Sequence, residues 1–321
     1  MKKQMNIVSL VIVIMMSLLV GCTNEKPVIQ SNEEHTKVEE MSAFPVTLTD
    51  DVGEEVTIKQ KPKRIVSLLP STTEIIFSLG LDKEVVGVSD YCNYPKATEA
   101  IEKVGAQQMN VEKILELSPD LVLLQEYHYT NSFDTVKKLK DAGINVMIVK
   151  SGESFENVYE SISVLGKATG QAKQAEEVIA TVKQELDEMR EKAKAITEKK
   201  KVWVEVSPQP DIFTTGSNTF MHEMLETIQA ENVAGDQEGW VKMNEEKAVS
   251  LNPDVIITTY GYYIENPEQQ VLSRQGWSEV PAVKNKQVFD VNNDTVTRPG
   301  PRLVEGVETL GKLIYPDVFT E

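Results

Sequence analysis

The sequence predicts an α/β protein built from two Rossmann-like lobes joined by a single long helix. Strand-like and helix-like segments alternate from Phe44 to the end of the chain. The stretch Asn110-Val-Glu112-Lys113-Ile-Leu-Glu-Leu117-Ser-Pro119-Asp120-Leu-Val recurs as Asn244-Glu-Glu246-Lys247-Ala-Val-Ser-Leu251-Asn-Pro253-Asp254-Val-Ile. Between the copies, Gln171 to Lys199 holds neither Gly nor Pro and repeats apolar residues at three- and four-residue steps. The expected boundaries are a signal over 1–21, a polar tether over 22–43, an N-terminal lobe over 44–170, the linking helix over 171–200 and a C-terminal lobe over 201–321.

Phe44-Pro-Val-Thr-Leu-Thr and Glu55-Val-Thr-Ile read as a hairpin around Asp51-Val52-Gly53. Arg64 to Leu69 is an apolar strand run, and Pro70-Ser-Thr-Thr-Glu74 opens a helix that Gly80 stops. Val85 to Val88 is the next strand. The first copy of the repeat supplies a helix and the strand Leu121 to Leu124. Val136 to Ala142 is a helix, and Ile144 to Val149 a strand. Apolar strands between amphipathic helices imply parallel layers. In the Gly- and Pro-free stretch, Ala175, Val178, Ile179, Val182, Leu186, Met189, Ala193 and Ile196 mark one face of a helix. About 25 residues make it roughly 38 Å long. That exceeds one small lobe, so it is read as the link between two; the alternative is a helix lying along one lobe. Beyond it, Lys201 to Val206 is a strand, and Phe213 to Thr219 a turn into the helix Met221 to Ile228. The second copy gives a helix and the strand Val255 to Thr259. Gln287 to Val291 is a late strand, and Pro301 to Leu313 the final helix.

Lys2 and Lys3 precede an apolar run from Ile7 to Val20, which is shorter than the roughly 20 residues of a comfortable span. The run ends in Leu19-Val20-Gly21-Cys22, which resembles a bacterial lipoprotein signal with lipid attached at Cys22; the alternative is an ordinary secretory signal. From Thr23 to Met41 the chain is polar and acidic, with too few apolar residues to repay ordering, which predicts a tether. The formal net charge of −17 argues against nucleic acid or anionic lipid as partners. With Cys22 lipidated, Cys92 has no disulfide partner and reads as a buried small residue. His35, His128 and His222 are scattered, so no metal site of ligand spacing is expected. His128 reads either as a solvated loop residue or as an axial ligand to a bound metal. No P-loop, G-x-G-x-x-G or nucleophile elbow occurs, Ser217 lacks a nearby base, and no catalytic residue is assigned.

Asn110 and Asn244 read as helix N-caps, which puts Glu112 and Glu246 at the second helical position. A carboxylate there gains about 0.3–1 kcal/mol from the helix dipole. Residues alone therefore leave two readings: a helix-start preference used twice, or a pair of docking acids on two lobes.

From Phe44 onward the chain resembles the class III substrate-binding proteins of ABC importers, which serve cobalamin and iron–siderophores. The resemblance is carried by Ile65-Val-Ser-Leu-Leu-Pro70-Ser-Thr-Thr-Glu74, Val86-Gly-Val-Ser89-Asp-Tyr91-Cys-Asn-Tyr94-Pro95 and the repeat around Glu112. It continues in Phe213-Thr-Thr-Gly216, Trp240 ahead of Glu246, and Asp294 followed by Arg298-Pro-Gly-Pro301-Arg302. It implies a lipid-anchored monomer on the extracytoplasmic face of the cell membrane that binds cobalamin or another corrinoid and works without a cofactor; the alternatives are a ferric siderophore or haem. Glu112 and Glu246 would meet the permease dimer, which works with its ATPase subunits. Tyr91, Phe213, Trp240 and Asp294 would contact ligand, with Ser71 and Thr72 meeting polar groups at its rim. Flat aromatic faces bury a broad chelate with little loss of side-chain entropy; core packing is the alternative for each ring, and Trp277 is expected to pack. Gln107 and Gln125 stand where the cobalamin type commonly has tryptophan. Tyr127, Tyr129, Tyr262 and Tyr263 could then rebuild the aromatic wall, and Arg298 shapes the C-lobe side of the cleft.

Overall fold

The computed structural model describes residues 43–149 and 152–320, so the expected signal, Cys22 and the tether as far as residue 42 lie outside the described residues. The first lobe opens with the hairpin β1 (Val46–Thr49) and β2 (Glu55–Ile58). Asp50 sets its turn by accepting from the amides of Val52 and Glu54, and ties it to the sheet through the amide of Ile148 at 3.2 Å. There follow β3 (Ile65–Ser67), α1 (Pro70–Ser78), β4 (Val85–Val88), β5 (Glu102–Lys103), α2 (Val111–Glu116), β6 (Leu121–Leu124), α3 (Glu126–Asn131), α4 (Phe133–Asp141) and β7 (Asn145–Ile148). The strands form a parallel sheet in the order β5-β4-β3-β6-β7. Its central strands β3 and β6 are buried throughout, as their unbroken apolar runs require when helices cover both faces.

Besides the short α3, one long helix of this lobe, α5 (Phe155–Ala168), was not among the expected elements. It buries Phe155, Val158, Tyr159, Ile162 and Leu165, and Ser154 caps it by accepting from the amide of Asn157. The linking helix α6 (Ala172–Ala193) has 22 residues, about 33 Å, and is shorter than expected because the chain leaves helical geometry after Lys194. Its buried stripe is Ala175, Val182, Leu186, Met189 and Ala193. Helices α5 and α6 pack closely because Gly166 faces Ala175: a Cβ at Gly166 would come within 2.5 Å of the Ala175 Cβ.

The second lobe comprises β8 (Lys201–Ser207), β9 (Phe213–Thr215), α7 (Phe220–Thr227), β10 (Glu231–Asn232), β11 (Trp240–Lys242), α8 (Glu245–Ser250), β12 (Val255–Thr258), α9 (Pro267–Leu272), α10 (Pro281–Lys284), β13 (Val288–Asp290), α11 (Asn293–Thr297), α12 (Leu303–Ile314) and α13 (Pro316–Phe319). Helix α6 packs on α5 and also on α7, α12 and α13, so it bridges the lobes and does not lie along one. The sheet order is β11-β9-β8-β12-β13, with β10 also on β8. Strands β8, β10, β12 and β13 are parallel, whereas β9 runs antiparallel to both of its neighbours, β8 and β11. This corrects the expectation that Phe213 begins a turn. The link from Ser207 to Phe213 is too short for a crossover, so the chain returns as a hairpin strand. The turn is Gly216 to Thr219, and Thr219 caps α7 by accepting from the amide of His222.

The repeated sequence is a repeated structure. Asn110 accepts from the amide of Lys113 at 3.0 Å, and Asn244 from that of Lys247 at 2.8 Å, so both are N-caps. Ser118 and Asn252 both take left-handed backbone, with φ of 45° and 52°. Asp120 then accepts from the amides of Lys63 and Arg64, and Asp254 from that of Lys201, each fixing the start of the neighbouring strand.

Candidate functional site: a cleft between the lobes

Side chains at the carboxyl ends of the parallel strands face one another across the lobe boundary, where open α/β sheets expose ligand sites. The first lobe contributes Asp90, Tyr91 and Asn93 from the loop after β4, and Gln107 from the loop after β5. The second contributes Tyr262 from the loop after β12, Asp290 at the end of β13, Val291 to Asp294 beyond it, and Arg298. Together they line a cavity of about 970 Å³. Tyr91 and Tyr262 are well exposed within it. A smaller recess of about 130 Å³ lies between Gly152, Glu153, Thr219, Phe220, Met221, Trp240 and Thr297.

An ionic network crosses from lobe to lobe at this cleft. Glu74 of α1 is 3% exposed and accepts from Arg302 Nε at 2.9 Å and Arg302 Nη2 at 2.7 Å. Arg298 Nη1 donates to Glu74 at 3.1 Å and to Asn93 Oδ1 at 2.7 Å, while its Nη2 lies 2.7 Å from Asp294 Oδ1. Asn93 Nδ2 completes the circuit by donating to Asp294 Oδ2 at 2.8 Å. Arg302 also stacks over the Tyr94 ring at 3.7 Å from its centroid. Elsewhere between the lobes, the amide of Phe155 donates to Glu223 at 2.6 Å, and the Phe155 and Phe220 rings meet edge to face. Among the described residues Arg298 is the one basic residue lining the larger cavity, and its charge is neutralised. Asp290 is held by Thr258 Oγ1 and the amide of Gly261, and burial pushes its carboxyl above the usual carboxylate range.

Tyr91 and Asp294 stand on the cleft wall, and Trp240 is exposed in the smaller recess. Phe213 is half-buried in β9 and lines neither cavity. Ser71 and Thr72 do not line the cleft: both are buried in the first turn of α1, where Gly300 of the other lobe approaches the Ser71 carbonyl and Glu74. The polar groups at the rim are Asn93, Gln107, Asn292 and Asn293. Gln125 and Tyr127 line a separate cavity of about 570 Å³ against α5. Tyr129 cannot join an aromatic wall, because its hydroxyl donates to Glu54 at 2.8 Å beside the hairpin. Tyr263 is exposed and packs edge-on against Tyr262 at 4.7 Å.

The structure rejects both readings of His128. It is fully buried in α3, with Nε2 donating to the Ala106 carbonyl at 2.8 Å and Nδ1 lacking a partner. Cys92 is buried, its thiol 3.2 Å from Thr73 Oγ1, and burial raises its pKa. Trp277 packs in the second lobe, as expected. Among the described residues, no group of His, Cys, Asp and Glu could hold a metal ion. Glu112 and Glu246 are both exposed in the first turns of α2 and α8. Each of these helices leads through a four-residue turn (117–120 or 251–254) into a parallel strand, so each amino end lies toward the carboxyl edge of its sheet, on the side of the cleft.

Glu74 and Asn93 are the positions at the cleft to which the sequence assigns no role, whereas Tyr262 is one of the tyrosines expected to rebuild the aromatic wall. Glu74 and Asn93 both lie inside the motifs that carry the resemblance, and for Glu74 the available signal is an acid set directly before the apolar run Ile75-Ile-Phe77.

The protein family described as periplasmic binding protein matches residues 65–295. The ABC transporter substrate-binding lipoprotein YvrC of Bacillus subtilis is 49% identical over 306 residues, 95% of each chain. A cobalamin-binding protein of Halobacterium salinarum is 29% identical over 301 residues, 89% of this chain and 78% of its own. Among solved structures, one of a possible iron-binding periplasmic solute-binding protein from Staphylococcus epidermidis matches with a TM-score of 0.74 and 35% identity. That match covers 80% of this chain and all of the other.

Proposed function

From its membership of the periplasmic binding protein family, where its relatives are substrate-binding proteins of ABC transporters and not enzymes, we propose that this chain captures cobalamin or a related corrinoid in the interlobe cleft. The observation that carries the ligand is the composition of the cleft wall. Tyr91 and Tyr262 offer aromatic faces, Asn93, Gln107, Asn292 and Asn293 offer amides, and the single arginine is locked into ion pairs. A corrinoid is broad and fringed with amides, so rings cover its face and side-chain amides meet its rim. A polyanionic ligand would need free cations, and this wall carries Asp90, Asp290 and Asp294 instead. The Halobacterium relative named as cobalamin-binding supports the same choice.

A ferric chelate or haem is the second reading. Two exposed phenols on the wall favour it, since tyrosinate is a known haem-iron ligand, as does the Staphylococcus structure described as possibly iron-binding. The chain then works as a tethered monomer, with Cys22 carrying the lipid anchor on the extracytoplasmic face. Glu112 and Glu246 engage a permease dimer coupled to its ATPase subunits. The bridging helix α6 and the ionic network hold the lobes, so closure on ligand is small. Titration calorimetry with cyanocobalamin, a panel of ferric siderophores and haem tests the reading. Saturable heat with cyanocobalamin alone is expected; heat with an iron chelate and none with any corrinoid rejects it.

A further inference from the structure

We propose that Tyr260, Glu205, Arg274 and Trp277 form a buried strut that ties the cleft loop carrying Tyr262 to helix α8 carrying Glu246, and positions that helix according to whether the cleft is filled. The proposal rests on the docking role given above to Glu246. The strut starts at the cleft wall. Tyr262 lines the cavity and packs on Tyr263, which packs in turn on Tyr260, with ring centroids 4.7 and 6.3 Å apart. Tyr260 Oη donates to Glu205 Oε1 at 2.6 Å. Glu205 is 0% exposed and also accepts from Arg274 at 2.7 and 2.5 Å and from Trp203 Nε1 at 3.3 Å. The Arg274 guanidinium lies over the Trp277 ring, 5.1 Å from its centroid. Trp277 Nε1 donates to Glu245 at 3.3 Å, and Glu245 is the residue before Glu246 in the first turn of α8.

The other lobe provides an internal control. Ile65 pairs with Leu121 as Val202 pairs with Val255, which puts Leu68 at the place of Glu205 and Val66 at that of Trp203. Leu68 is fully buried there. Counting from the caps Asn110 and Asn244, Val111 stands at the place of Glu245. The same fold therefore closes its core with a leucine where the second lobe buries a charge. A buried ion pair adds little net stability over apolar residues of similar size, because desolvation offsets the attraction. What the pair adds here is a directional, fully satisfied polar connection between two surface features. Such a network has few arrangements, so a shift of the Tyr262 loop cannot leave Tyr260 and Glu205 bonded unless their partners shift too.

The test replaces the pair with the other lobe's solution, Glu205→Leu with Arg274→Leu, and uses Trp277→Phe as a second variant that cuts only the last link. In both, hydrogen exchange at the amides of Ala248 and Leu251 should quicken about tenfold, while the equivalent amides of Ile114 and Leu117 stay unchanged. The affinity for cyanocobalamin should hold within about threefold. The ratio of importer ATPase stimulation by cyanocobalamin-loaded over empty chain should fall toward one. Unchanged exchange at Ala248 and Leu251 in both variants overturns the strut whatever the ligand is, and quickened exchange with an unchanged ratio overturns its reporting role. Glu246→Ala separates the two ideas: if it leaves stimulation intact, the docking reading fails while the exchange result still judges the strut.

Discussion

Glu74 and Arg302 join the two lobes through a two-point charge-assisted bond, the guanidinium donating at 2.9 and 2.7 Å to a carboxylate that is almost fully buried. They stand 228 residues apart in the chain, with Arg298 as a second cation on the same carboxylate. Removing the carboxylate takes from two part-buried guanidinium groups the buried anion they share, leaving Arg298 on Asp294 and Arg302 on the more distant Glu305. Glu74→Ala should therefore destabilise the fold by about 3–5 kcal/mol, the usual cost of breaking a buried pair from one side. Urea denaturation of the two proteins measures it; a loss under about 1 kcal/mol would mean the arginines find water or other acids at no cost.

The exposed rings of the cleft wall and of the smaller recess should dominate capture. Tyr91→Ala, Tyr262→Ala and Trp240→Ala remove exposed aromatic faces that gain burial only when ligand arrives, and each should weaken binding of cyanocobalamin roughly 30-fold, about 2 kcal/mol. Phe213→Ala and Ser71→Ala, at positions lining neither cavity, should stay within about threefold. Calorimetry on the five variants decides the matter. A large loss at Phe213 with none at Tyr91 would move the site away from the described cleft.

The elements that sequence exposes most plainly are those governed by local chemistry. Asn110 and Asn244 cap their helices because a side-chain oxygen beside free amides has few better uses, and Leu121 to Leu124 reads as a strand because both its faces are covered. Phe213 was misplaced because a three-residue hairpin strand carries no periodicity of its own. Helix α5 does carry the signal, with Phe155, Val158, Ile162 and Leu165 at helical spacing, but over a shorter stretch than the helix that follows it. Ser71 and Thr72 read as rim groups because sequence cannot show that the first turn of α1 is buried, with Gly300 of the other lobe beside Ser71. The clamp on Glu74 was invisible for the same reason: its partners approach only once both lobes are built.

His128 gives a pH dependence of definite sign. Its Nε2 proton is held by the Ala106 carbonyl and its buried Nδ1 has no acceptor, so charging the ring would place a new N–H donor and a positive charge in an apolar setting. Burial holds its pKa below the ordinary imidazole value. The unfolded chain then binds the proton more readily than the folded one. The stability from neutral His128 is complete above about pH 6.5 and drains as pH falls toward the folded value, by up to about 1.4 kcal/mol per unit. His128→Gln should flatten the fall in melting temperature between pH 7 and pH 5. An equal fall in both proteins would place the effect on other groups.

Glu112 and Glu246 should separate delivery from capture. Both are exposed, and neither lines the cleft, so Glu112→Ala with Glu246→Ala should leave the cyanocobalamin affinity within about twofold. Stability should change little, since each acid at a helix start is worth about 0.3–1 kcal/mol. Their loss should instead abolish stimulation of the importer's ATPase, because two acids at equivalent places on two lobes form the pair that a two-fold permease dimer would read. The single variants should each keep part of the stimulation if the lobes dock independently. Reconstituted importer in lipid, titrated with each protein, measures all three. Full stimulation by the double variant would return both glutamates to the plainer role that the repeat also supports, a carboxylate favoured wherever this helix begins.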